Sequence, residues 1–204
     1  WSFFFGLIIA SIIYVGKQIK KWRLSTVVAL ILGTVIAFYI TTLPSLGTNE
    51  SAYFLFFAGA LAICAMILPG ISGSFILVIL GAYKTLSDAL HDFDFKTIGI
   101  VAVGAVVGLL SFSRVLKWLF LKYKAVTLAV LTGFITGSLN KIWPWKEILE
   151  TVTIGDKDMV IREQSVLPQH FDGDPQLIFA LLLMVAGFLL ILILERVATQ
   201  QANA

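Results

Sequence analysis

Two short stretches of this chain carry the residue types from which an anion-binding site could be built. The first stretch is Pro69-Gly70-Ile71-Ser72-Gly73-Ser74. It interrupts an apolar run, Ala52 to Tyr83, that contains no charged residue. Proline ends a helix because it has no N–H group, and glycine lets a ligand approach the backbone closely. The N–H groups at the start of the next half-helix and the two serine hydroxyls would then face an anion. The alternative is a kinked helix whose glycines serve only packing.

The second stretch is Ser111-Phe112-Ser113-Arg114. Arginine within a membrane span usually faces the protein interior or a water-filled cavity, and its planar fork suits a phosphate. Ser111 and Arg114 share a helix face, because positions three apart are neighbours. The alternative is that Arg114, one turn before Lys117, reaches the cytoplasmic headgroups.

The composition indicates a membrane protein. Apolar residues make up 59% of the 204-residue chain and charged residues 13%, against about 45–50% and 25% in soluble domains. The net charge of +3 does not indicate a nucleic-acid partner, because the basic residues flank apolar runs. The single cysteine, Cys64, rules out an intrachain disulfide and a cysteine-based metal cluster, and we expect it to be buried. Apart from Glu195 at the last boundary, the predicted spans contain no Asp, Glu or His, so no catalytic residue, metal or cofactor is expected.

The apolar runs predict a single transmembrane domain over residues 1–204. A membrane-spanning helix needs about 20 apolar residues. The predicted spans cover residues 1–16, 24–40, 97–121, 125–143 and 176–194, with a broken segment whose halves are 52–68 and 71–86. Residues 144–175 form one long hydrophilic insertion.

The basic residues orient these spans, because cytoplasmic loops are enriched in Lys and Arg. The clusters at 17–23 and 117–124 should both be cytoplasmic. The broken segment between them must then enter and leave on the same face, as a re-entrant helical hairpin over residues 52–86 or as two closely packed spans. Its halves are short for crossing, which favours the re-entrant form. The insertion at 144–175 is then extracytoplasmic.

Small residues recur at helix-packing spacing. Gly104 with Gly108, and Gly133 with Gly137, are GxxxG pairs that let helices approach closely within one chain or between chains. A homo-oligomer is therefore one expectation. Tryptophans near the predicted span ends are expected as interfacial anchors; they are Trp1, Trp22, Trp118, Trp143 and Trp145.

Two motifs together resemble a known family. Ala65-Met66-Ile67-Leu68-Pro69-Gly70-Ile71-Ser72-Gly73-Ser74, followed by Ile79-Leu80-Gly81-Ala82-Tyr83, is similar to the second-repeat signature of the bacterial polyprenyl-phosphate transporters. The stretch Gly108 to Arg114 resembles that family's next motif. The resemblance implies an all-α polytopic membrane protein with inverted repeats, each carrying a Pro-Gly-x-Ser-Gly motif. This chain has one such motif, so the other is expected upstream of Trp1.

The resemblance also implies a function and a partner. The family returns undecaprenyl phosphate from the outer to the inner leaflet of the bacterial plasma membrane. The residues expected at the phosphate headgroup are Pro69, Gly70, Ser72, Gly73, Ser74 and Arg114, with Ser111 and Ser113 as second choices.

Three other functions stay open on the sequence. Undecaprenyl-pyrophosphate phosphatases carry a similar Pro-Gly-x-Ser-Arg-Ser motif, but Gly73 stands where their arginine would be, and no intramembrane glutamate is available for acid–base chemistry. A small-anion transporter could use the same helix break. A membrane scaffold without transport could contain the break as a simple kink.

Overall fold

The structure, a computed structural model, describes residues 1–47, 49–154 and 157–202. Residues 155 and 156 of the predicted insertion lie outside this description. Within it the helices are α1 (Ser2–Lys17), α2 (Leu24–Thr42), α3 (Ala52–Ile67), α4 (Gly73–Ile79), α5 (Tyr83–His91), α6 (Phe95–Ile142) and α7 (Leu177–Ala202). Two paired strands, β1 (Lys146–Ile154) and β2 (Lys157–Ser165), and a short 3-10 turn, Pro168–His170, lie between α6 and α7.

The long helices confirm the predicted all-α polytopic membrane fold. By length and composition, α2, α6 and the Leu177–Val197 part of α7 can each cross a membrane. Helices α1 and α3 are apolar but shorter, with 16 residues each. The strands are confined to the hydrophilic insertion.

Helix α6 contains a break where the sequence predicts a boundary between two spans. Tyr123 has φ −132° and ψ 41°, outside the helical region, so the helices before and after it are separate. The predicted spans end at Leu121 and resume at Ala125. Lys122 and Lys124 flank the break, as expected where a chain leaves the apolar layer.

The chain divides into two compact units. The first comprises Trp1–Thr41, Leu128–Leu149 and Glu163–Ala204, and the second comprises Thr42–Thr127 and Glu150–Arg162.

In the first unit, glycines bring helix backbones into direct contact. Gly6 of α1 lies against the Met184 carbonyl of α7. Gly133 and Gly137 of α6 lie against the carbonyls of Leu30 and Thr34 in α2. A Cβ atom at any of these glycines would collide with backbone. The second predicted GxxxG pair therefore packs helices within the chain.

Within the first unit, two tryptophans hydrogen-bond to backbone carbonyls in the C-terminal part of the hydrophilic insertion. Trp143 Nε1 donates to the Val166 carbonyl at 2.8 Å, and Trp145 Nε1 donates to the Pro175 carbonyl at 2.9 Å. Trp145 is only 6% exposed. The expectation of an interfacial anchor is wrong for Trp145, because this residue is buried within the insertion.

In the second unit the core forms where α3, α4 and α6 meet. Its buried residues are Leu55, Ala58, Ala62, Leu77, Ala82 and Val101. Tyr83 and Leu86 of α5 pack against this core, while Lys84 and Asp88 on the same helix are exposed. Helix α5 is therefore amphipathic, unlike α3 and α4.

The second half of the broken segment differs from its predicted form. The sequence predicts one half-helix over 71–86, whereas α4 ends at Ile79 and α5 begins at Tyr83, with a bend of 109° between them. Gly81 has φ +71°, and a Cβ there would lie 2.5 Å from the Leu46 carbonyl oxygen. A left-handed glycine pressed against a loop ends the helix here.

Candidate functional site

The helix break predicted from the sequence is present. Helix α3 ends at Ile67, and Leu68 has the extended backbone (ψ 125°) that a following proline favours. Pro69 cannot continue the hydrogen-bond ladder. Gly70 then takes φ +96°, which a residue with a Cβ rarely adopts. The chain thus turns sharply over five residues before α4 begins.

Ser72 begins the return helix. As the N-cap of α4, its Oγ accepts a hydrogen bond from the Phe75 N–H at 3.2 Å. The Ser72 and Ser74 hydroxyls lie 3.3 Å apart, and both serines are exposed. The N–H groups of Gly73 and Ser74 have no acceptor inside α4, since they belong to its first turn.

Helix α4 runs back along α3. A Cβ at Gly73 would lie 2.9 Å from the Ala62 carbonyl oxygen, so glycine permits this contact. At the other end of α4, the Leu46 N–H donates to the Ile79 carbonyl at 2.6 Å. Leu46 belongs to the loop that precedes α3. The two ends of the α3–α4 hairpin are therefore close together.

Helix α6 lies beside α3 and runs in the same direction. Gly104 packs on the Phe56 carbonyl, and Gly108 packs on Ala60, with a Cβ at Gly108 only 2.6 Å from the Ala60 oxygen. Cys64 is half-buried, and its Sγ lies 3.6 Å from the Gly108 carbonyl oxygen. The first predicted GxxxG pair thus packs within the chain as well.

This register places the second predicted stretch level with the helix break. Ile67, the last residue of α3, lies seven positions after Ala60, and Val115 lies seven positions after Gly108. At about 1.5 Å per residue, the break and the Ser111–Arg114 stretch are at similar heights along the helix pair. Gly108 is buried against α3, whereas Ser111 and Arg114 further along α6 are exposed.

The side chains of this stretch differ in what they can offer. Arg114 and Ser111 are exposed, and no carboxylate of the described residues forms an ion pair with Arg114. The Ser113 hydroxyl donates to the Leu110 carbonyl at 3.1 Å, so its proton is used within its own helix. Helix α6 contains no acidic residue from Phe95 to Ile142, which leaves the region electropositive.

The donor set suits an oxyanion better than a metal. Backbone N–H groups, hydroxyls and a guanidinium all donate hydrogen bonds to an anion. Helix α4 has only seven residues, so its dipole contributes less than the predicted half-helix would. Within the described ranges, no group of three His, Cys, Asp or Glu side chains could hold a metal ion.

The membrane-length helices and the broken hairpin define a multi-pass membrane protein, and comparison with known proteins gives its family. The undecaprenyl phosphate translocase-like family matches residues 1–159. The chain therefore belongs to this family.

Two relatives are named as transporters. The chain is 43% identical to a polyprenyl-phosphate transporter of Vibrio cholerae serotype O1 over 203 residues, 97% of this chain and 66% of the relative. It is 29% identical to a polyprenyl-phosphate transporter of Staphylococcus aureus over 161 residues, 70% of this chain and 57% of the relative. The chain thus spans about two thirds or less of the length of these relatives. No solved structure matches it.

Proposed function

We propose that this protein moves a polyprenyl phosphate, such as undecaprenyl phosphate, from the outer to the inner leaflet of the bacterial plasma membrane. The observation that carries the proposal is the common height of the helix break and Arg114 beside the α3–α6 contact. Both relatives named above are polyprenyl-phosphate transporters, which supports the choice of substrate.

The proposed site meets the main difficulty of this transport. A phosphate cannot enter an apolar layer without compensating hydrogen bonds and charge. The N–H groups of Gly73 and Ser74 and the hydroxyl of Ser74 supply hydrogen bonds. Arg114 supplies the opposite charge, and Ser111 lies one turn away on the same helix. The prenyl tail stays in lipid while the headgroup site is exposed to each side in turn.

The hairpin geometry supports a re-entrant arrangement. Because α4 returns to the loop before α3, the break forms the tip of a hairpin whose two ends share one face of the membrane. On the predicted orientation this face is extracytoplasmic, and the tip reaches into the bilayer, where transporters of this type place their substrate.

Arg114→Ala is the direct test. We expect binding of polyprenyl phosphate in detergent or nanodiscs to weaken by about tenfold or more, because a charge-assisted hydrogen bond contributes about 1.5–3 kcal/mol. Arg23→Ala is the matched control, since Arg23 is also exposed and lies between α1 and α2. Equal binding by wild type and Arg114→Ala would disprove the role of Arg114.

The same preparation separates transport from hydrolysis. Helices α3, α4 and α6 contain no carboxylate side chain. Hydrolysis would need an acid–base group near the phosphate, so this composition supports transport without chemical change. Release of inorganic phosphate from undecaprenyl pyrophosphate by the purified protein would instead support a phosphatase. Competition by free phosphate as strong as by the lipid would support a small-anion transporter.

A further inference from the structure

A row of exposed side chains continues along α6 beyond Arg114. Lys117, Trp118, Leu121 and Lys122 follow at helical spacing, and we name them the basic stripe. With about 3.6 residues per turn, these four residues and Arg114 fall on one side of the helix. Trp118 is 52% exposed and Leu121 is 79% exposed, while both lysines are exposed.

The charges of the basic stripe are not compensated. No ion pair in the described part of the chain involves Lys117 or Lys122. Lys122 is held by aromatic rings: its Nζ lies 5.6 Å from the Trp118 ring centroid and 5.7 Å from that of Tyr123. The two rings meet edge to face at 5.7 Å. This arrangement fixes the ammonium group without neutralising it.

The spacing of the cations suits a headgroup that moves along the helix. Lys117 lies about 4.5 Å beyond Arg114 along the axis, and Lys122 lies about 12 Å beyond it. Trp118 and Leu121 lie between the lysines and offer an apolar surface to an isoprenoid chain. The stripe ends at Tyr123, where α6 breaks, on the side predicted to be cytoplasmic.

We infer that the basic stripe is the exit site for the transported lipid: Lys117 and Lys122 receive the phosphate headgroup from Arg114, and Trp118 contacts the first isoprene units. The occupant is a polyprenyl phosphate, because a phosphate monoester carries about 1.5 to 2 negative charges at pH 7 and the stripe presents two unpaired cations beside an apolar surface. This inference rests on the proposed function.

Lysines at a cytoplasmic boundary are expected from the positive-inside rule alone, whether or not they bind a lipid. The test must therefore show that a lysine's position on the basic stripe matters, and not only its positive charge. Lys124 is exposed at the same end but lies beyond Tyr123, off the stripe. Lys124→Gln is therefore a matched control that removes one charge from the same boundary. Trp118→Leu removes no charge and leaves orientation unaffected.

The experiment measures outer-to-inner transfer of polyprenyl phosphate in phosphatidylcholine vesicles. We expect K117Q and K122Q, each made singly, to slow transfer by about fivefold, because each lysine near such a headgroup contributes roughly a fivefold effect. We expect K124Q to leave the rate unchanged and W118L to slow it. Equilibrium binding at the helix break should be retained in all of these variants.

The outcomes separate this inference from the proposed function. If wild type transfers the lipid and K117Q, K122Q and W118L are each as fast as K124Q and wild type, the exit site alone is overturned. A wild type that transfers no polyprenyl phosphate would overturn both. If vesicles containing phosphatidylglycerol slow wild-type transfer by occupying the stripe, the surface binds anionic lipid in general and the proposed specificity is wrong.

Discussion

Ser72 and Ser74 are two positions apart, yet the structure gives them different roles. Ser72 caps α4 through the Phe75 N–H, so its oxygen is already used in holding the break. The Ser74 hydroxyl does not cap the helix and is exposed. Among the predicted site residues, Ser74 is therefore a better candidate than Ser72 for direct contact with a phosphate.

Ser72→Ala and Ser74→Ala should accordingly separate stability from binding. Loss of an N-cap costs about 1 kcal/mol, so Ser72→Ala should lower the thermal unfolding temperature in detergent. Ser74→Ala should leave the thermal unfolding temperature unchanged. It should weaken polyprenyl phosphate binding about fivefold, because the loss of one hydrogen bond costs about 1 kcal/mol. Identical effects of the two variants on unfolding would contradict this division.

Glu163 is a second residue whose environment has measurable consequences. Lys141 Nζ lies 2.7 Å from its Oε1, and Lys146 contacts the same oxygen. Burial alone would raise the pKa of Glu163, but the hydrogen bonds and charges of the two lysines outweigh it and hold the pKa below its ordinary value. Burial lowers the pKa of Lys146, and Glu163 opposes that change.

The lowered pKa of Glu163 predicts a loss of stability in acid. A carboxylate with a depressed pKa stabilises the fold above its ordinary pKa of 4.5, and this contribution is lost as the pH falls through the lower folded value. Thermal unfolding followed from pH 7 to pH 3 should show the loss in wild type. Glu163→Gln should be less stable than wild type at pH 7 and should lack this component. An unchanged pH profile in Glu163→Gln would contradict the assignment.

At the scale of elements, α3 and the first part of α6 behave as one packed pair. Gly104 and Gly108 leave no space for a methyl group against the α3 backbone. Gly99 lies on the same helix, and a Cβ there would have nothing within 4 Å. Alanine substitutions at Gly104, which is packed, and at Gly99, which is open, can therefore be compared within one helix.

Gly104→Ala should destabilise the second unit by about 1–3 kcal/mol, the usual effect of overpacking. Gly99→Ala should be neutral or stabilising by up to about 1 kcal/mol, because alanine favours a helix. Thermal unfolding of the two variants in the same detergent tests this. A Gly104→Ala protein as stable as Gly99→Ala would mean that α3 and α6 can separate without cost.

Some features of these elements could be predicted from the sequence and others could not. The break at Pro69 and the boundary near Tyr123 were predictable, because proline, glycine and paired lysines act locally. The bend at Gly81 depends on a contact with Leu46, which no local pattern reveals. The strands of the insertion lie in a segment interpreted only as hydrophilic. The common height of the break and Arg114 depends on glycine contacts that the GxxxG spacing suggests without naming the partner helix.

At the scale of the whole molecule, orientation in the membrane is the main prediction. The basic clusters at 17–23 and 117–124 are expected on the cytoplasmic side, and the insertion on the opposite side. Between the clusters lie α2, the α3–α4 hairpin and the first part of α6. The two clusters share a side only if the hairpin enters and leaves on one face or crosses twice.

Cysteine labelling in intact cells tests this orientation. In a Cys64→Ser background, Asp174→Cys should react with a membrane-impermeant maleimide, because the insertion is predicted to be outside. Lys20→Cys and Lys124→Cys should react only after the membrane is permeabilised. If one of these two reacts in intact cells and the other does not, the segment between them crosses an odd number of times, and the re-entrant hairpin is wrong.

The close contact between α3 and α6 also restricts the route of a lipid tail. The backbones of Gly104 and Gly108 in α6 contact α3 directly. No isoprene unit therefore fits between α3 and α6 at the level of these two glycines. A headgroup seated at Ser74 and Arg114 must therefore send its tail out past the end of α3 or along another side of the hairpin. Crosslinkers placed on the two sides of the break would locate that opening, and the α3–α6 seam is the side on which no crosslink to the tail should form.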